Sequence, residues 1–65
     1  MNLIEGLQAE LTRCRELLEA YKELGTVGLF GKLVIQESVH KGEAAMVSGD
    51  VIKMLRAYED LKQRQ

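Results

Sequence analysis

The chain has 65 residues, one cysteine, one histidine and no proline, and its formal net charge is −1. A single domain of this size, residues 1–65, hides only ~60% of its unfolded surface, and its core supplies no more than ~3–5 kcal/mol without a staple. A lone Cys14 excludes an internal disulfide and a lone His leaves few metal ligands, so oligomerisation is the expected staple.

An apolar fraction of 46% and a charged fraction of 29% describe a folded chain, not a disordered one. Residues 1–24 carry five acids and three bases, residues 25–49 two of each, and residues 50–65 three acids and four bases. No segment is a basic patch, and without one nucleic acid is not an expected partner. No apolar run approaches the ~20 residues of a membrane-spanning helix, so no membrane is expected either. Met1 to Gly6 lacks the basic start and apolar stretch of a secretory signal. With a free thiol, this points to the cytoplasm.

The first predicted element is a helix over about 3–24. Asn2 is a suitable N-cap, with Glu5 placed to complete a capping box. Ile4, Leu7, Leu11, Cys14, Leu18 and Tyr21 recur in alternating steps of three and four, a heptad seam. Leu3, Leu17 and Leu24 widen it, while Gln8, Thr12, Arg15, Glu19 and Lys22 form a solvated back. Gly25 ends the helix.

The second helix is predicted over about 27–48, with Thr26 as a possible cap and a regular part that begins near Leu29. Gly28 and Gly31 each cost ~1 kcal/mol in a helix interior relative to Ala. Gly42 is followed by the strong helix formers Glu43, Ala44, Ala45 and Met46, so the helix is expected to continue through it. Gly31, Ile35, Ser38, Gly42, Ala45 and Gly49 share one stripe, and all but Ile35 are small. Small side chains let a neighbouring helix come close, which accounts for glycines that propensity alone disfavours. After a turn at Ser48, Gly49 and Asp50, the third helix spans about 51–62. Its apolar face is Val51, Met54, Leu55, Tyr58 and Leu61.

The expected fold is therefore all-α: an antiparallel helical hairpin plus a shorter third helix, completed by oligomerisation. At ~18 Å the third helix falls short of the ~33 Å first helix. Part of the apolar face of helix 1 should then stay open and bind a second copy. The expected contact residues are Leu7, Leu11, Leu18, Tyr21, Phe30, Arg56 and Tyr58.

The candidate chemical motifs are weak. Gly25, Gly28, Gly31 and Lys32 superficially suggest a phosphate loop. The position of its first glycine holds Thr26, the position after the lysine holds Leu33, and no strand precedes it. Cys14 lies mid-helix in an apolar seam, with His40 as the one histidine that could activate it; a buried hydrophobe is the simpler reading. Glu37 and His40 form the i, i+3 pair used in dimetal bundles. They lie on a stripe of Phe30, Leu33, Glu37, His40, Ala44 and Val47, which is expected to face inwards. The seam of helix 1 offers no glutamate to complete a site, so a metal-binding bundle on Glu37 and His40 is the alternative and no cofactor is expected. The leading expectation is a non-enzymatic module that binds itself and another protein.

The segment 44–61, with Ala45, the Gly49–Asp50 turn, Met54, Leu55, Tyr58 and Leu61, resembles half of a tetratricopeptide-type hairpin. That implies helix-hairpin packing and no peptide groove, because repeats need neighbours. The Ala57–Lys62 ending and the Ser-Gly-Asp turn also resemble short helical proteins of bacteriophages and prophage-rich bacterial genomes. This second resemblance implies an inhibitor or modulator of a host or defence protein.

Overall fold

The computed structural model describes residues 2–65. Helix α1 spans Leu3–Glu23, α2 Leu29–Ser48 and α3 Val51–Lys62, with a short 3-10 turn at Gly25–Gly28 between the first two. The described residues are 89% helical and include no strand. Each helix packs on the other two, giving an up–down–up bundle of 36 × 18 × 17 Å.

Local chemistry sets the helix ends. The Asn2 side chain accepts from the Glu5 N–H at 2.9 Å and donates to the Glu5 carboxylate at 3.1 Å, a capping box closed through side chains. Asp50 accepts from the N–H groups of Ile52 and Lys53 and so starts α3. Gly49 ends α2 at a φ of 69°, a left-handed conformation in which a Cβ is strained. Thr26 does not cap α2. The helix starts at Leu29 with no side-chain cap, and the Thr26 contribution is its carbonyl, which accepts the Leu29 N–H within the 3-10 turn.

Gly42 does not interrupt α2, because it is where three helices meet. A Cβ there would sit 2.8 Å from Leu11 Cδ2 and 3.1 Å from Leu61 Cδ1. The core is Leu7, Leu11 and Cys14 from α1, Ile35, Val39 and Ala45 from α2, and Met54, Ala57 and Leu61 from α3. The small-residue stripe is thus the inner face of α2, with Ser38 and Gly42 also buried.

The expectation of an open apolar face on α1 is corrected by two features. α3 covers Leu7, Leu11 and Cys14 together with α2. Past α3 the chain continues along α1: Arg13 donates to the carbonyls of Leu61 at 2.7 Å and Arg64 at 2.8 Å, and the Tyr21 hydroxyl donates to the Gln65 carbonyl at 2.8 Å. The tail thereby extends the reach of a helix that is too short by itself. Leu3, Leu17, Leu18 and Tyr21 end partly buried against the core, and Ile4 and Leu24, at the two ends of the seam, are exposed.

Candidate interaction surface

The seven expected contact residues do not form one patch. Leu7 and Leu11 are interior to the monomer, at 0% and 4% exposure, where α2 and α3 occupy the place a second copy was expected to take. Leu18, Tyr21 and Tyr58 are partly buried. The Tyr58 ring carries the Lys62 ammonium 5.0 Å from its centre and lines a shallow depression with Asn2, Leu3 and Gly6. Phe30 and Arg56 are exposed, but Phe30 lies beside Tyr21 and the C-terminal tail, while Arg56 lies in the groove between α2 and α3.

The stripe that holds Glu37 and His40 points outwards, not inwards. Phe30, Leu33, Glu37, His40, Ala44 and Val47 are all exposed. The close approach of α1 and α3 needs the small side chains of α2, so the glycine-rich face turns in and the face with larger residues turns out. Glu37 pairs with Lys41 at 3.6 Å on this surface. No group of three or more His, Cys, Asp or Glu that could hold a metal occurs among the described residues.

The other motifs resolve into packing. The Cys14 thiol is fully buried and donates to the Leu61 carbonyl at 3.6 Å, and burial raises its pKa. The outward His40 is on the opposite side of α2 from the core residues that surround this thiol. At the phosphate-loop look-alike, a Cβ on Gly28 would meet the Tyr21 carbonyl at 2.8 Å, and one on Gly31 would collide with the Tyr21 ring. These glycines admit Tyr21; their space is taken.

Large apolar side chains remain exposed in two regions. At the hairpin tip they are Leu24, Val27, Leu29, Phe30 and Leu33; towards the other end they are Ile4, Val47, Val51, Ile52 and Leu55. The outward stripe of α2 runs from the first region to the second. Beside it, Lys41, Lys53, Arg56 and Asp60 rim a groove of about 440 Å³ floored by Ala44, Ala45, Ser48 and Ala57. Burial alone would raise the Asp60 carboxyl pKa, but the Ser38 hydroxyl, the hydrogen bond from Arg64 and the charges of Arg64 and Lys41 outweigh it and hold the carboxyl low.

Known protein families, curated proteins and solved structures offer no match to this chain. The surface itself therefore carries the functional reading. No helix among the described residues is long and apolar enough to cross a membrane.

The outward direction of the α2 stripe was the feature that sequence reasoning missed, and a signal for it was present. Both the small-residue stripe and the Phe30–Val47 stripe of α2 carry apolar residues, and a helix in a small bundle has only one face to give the core. The stripe with the smaller side chains suits the tighter contact, which leaves the Phe30–Val47 stripe outside.

Proposed function

We propose that this chain is a small cytoplasmic module that acts by binding protein through the outward face of α2 and catalyses no reaction. The supporting observation is the exposure of large apolar side chains at both ends of that face, Phe30 81% and Leu33 52% at one end and Val47 90% at the other, with Glu37 and His40 between them. Singly exposed apolar residues need no explanation, but two apolar clusters joined by one outward helix face suit an association surface. The inhibitor of a host or defence protein implied by the phage resemblance is one case of this reading, distinguished by the identity of the partner.

The test is affinity capture with quantitative mass spectrometry on the native chain and on Phe30→Glu and Val47→Glu. Both positions are exposed, so the variants should keep the helical circular dichroism of the parent. Specific capture, including capture of untagged copies of the chain itself, should drop at least about tenfold in both, as expected when an interface anchor is lost. Capture that is unchanged in both variants sinks the proposal.

A further inference from the structure

α2 has an inner face that the bundle buries and an outer face that stays exposed. Ile35, Ser38, Val39, Gly42 and Ala45 are buried. Phe30, Leu33, Glu37, His40, Ala44 and Val47 are exposed and recur in steps of three, four, three, four and three. That alternation has the spacing of a coiled-coil seam, with successive residues at a and d positions, apolar at Phe30, Leu33, Ala44 and Val47 and polar at the central Glu37 and His40.

Resting on the binding role proposed above, we infer that this seam docks on α2 of a second copy, antiparallel, about a two-fold axis that passes between Ser38 and Val39. In an antiparallel pair each a position faces a d position. One register satisfies all six residues. It sets Phe30 opposite Val47 of the second copy, Leu33 opposite Ala44, and Glu37 opposite His40, each pair formed twice by symmetry.

Charge and size decide the orientation. In the antiparallel register both central layers place a carboxylate against an imidazole N–H, and the outer layers match a larger side chain with a smaller one. A parallel pair would set Glu37 on Glu37 and His40 on His40, and would put Ala44 on Ala44 where it leaves a gap. Beside the seam, the antiparallel register brings Lys41 next to Val34 of the second copy and Glu43 next to Gln36, so no like charges face each other.

The bundle is shaped for this contact. α3 flanks the half of α2 that holds Lys41, Ala44, Ala45 and Ser48, whereas the Phe30 half has only Tyr21 and the C-terminal tail beside it. Antiparallel docking lays the Phe30 half of one copy beside the α3-flanked half of the other. Phe30, brought over Val47 of the second copy, then lies at the mouth of that copy's groove between α2 and α3, where Ala44 and Ser48 line it.

Sedimentation of the full chain tests the premise at about 100 µM, where a micromolar affinity populates the dimer. The native chain should sediment as a dimer. Phe30→Glu, and His40→Glu, which sets carboxylate against carboxylate, should each weaken it at least about 30-fold with helical content unchanged. The exchange variant Glu37→His with His40→Glu restores opposite partners in the antiparallel register and should recover most of the dimer. In mixed samples, Leu33→Cys should form a disulfide with Ala44→Cys and not with itself. A monomeric native chain, a dimer indifferent to Phe30→Glu and His40→Glu, an exchange variant no better than His40→Glu, or a Leu33→Cys self-disulfide each overturns the inference. If the chain is monomeric yet still captures a different protein in a Phe30-dependent way, the self-docking is refuted and the binding role stands.

Discussion

Arg13 and Arg15 are two residues apart, and each makes a carboxylate contact of 2.7 Å, to Glu10 and Glu43 respectively. Their removal should nevertheless differ in cost. Arg13 also donates to the Leu61 and Arg64 carbonyls and so ties the end of α3 and its tail to α1. A hydrogen bond with a charged partner contributes up to ~1.5–3 kcal/mol. Here the lower end applies, because the Arg13 side chain is 43% exposed and the Leu61 carbonyl still accepts from the Arg64 N–H at 3.0 Å and the Cys14 thiol at 3.6 Å. The two bonds, with the favourable placement of a cation at a helix C-terminus, amount to about 2 kcal/mol. The Arg15–Glu43 pair is about half exposed on both sides and contributes ~0.2–1 kcal/mol. With an m-value near ~1 kcal/mol/M for so small a chain, Arg13→Ala should lower the urea midpoint by about 2 M and Arg15→Ala by less than about 1 M. Arg13→Lys, which keeps the charge but reaches one carbonyl at most, should fall between. The measurement belongs at the lowest workable protein concentration, where self-association does not add to stability. Equal shifts for the two alanine variants would refute the claim that Arg13 secures α3.

Gly31→Ala should destabilise the chain although it improves helix propensity by ~1 kcal/mol, because the new methyl displaces the Tyr21 ring and an overpacked contact costs about 1–3 kcal/mol. A rise in urea midpoint would show that Tyr21 does not pack there. Cys14 should resist a polar thiol reagent in the folded chain and react freely in urea; equal rates would contradict its burial. Its raised pKa means that the neutral thiol favours the folded chain below the ordinary cysteine range, and that this contribution fades as the pH climbs through the higher folded value. Asp60 has the opposite sign. Its lowered pKa adds stability above the ordinary carboxylate range, and that stability is lost as the pH falls through the folded value. Asp60→Asn should flatten this acid limb by less than about 1 kcal/mol, since the Asp60–Arg64 pair is partly exposed, and an unaltered limb would exclude the assignment.

The all-α class, the three helices and most of their ends were legible in the sequence, because short-range chemistry sets them. Asn2, Gly49 and Asp50 act on backbone groups within a few residues, and heptad spacing follows from helical pitch alone. The inner face of α2 was legible too, since glycines at Gly31 and Gly42 make sense only at a close contact. The tertiary structure decided what no local pattern encodes. Whether the seam of α1 is filled from within depends on a tail of three residues reaching Arg13 and Tyr21, contacts that span 51 and 44 positions in the chain. Whether Glu37 and His40 face the core or the solvent depends on which of two faces of α2 the other helices take. Periodicity is symmetric between those faces. Packing is not: the face with the smaller side chains admits the closer neighbours, and Phe30, Leu33 and Val47 are left outside.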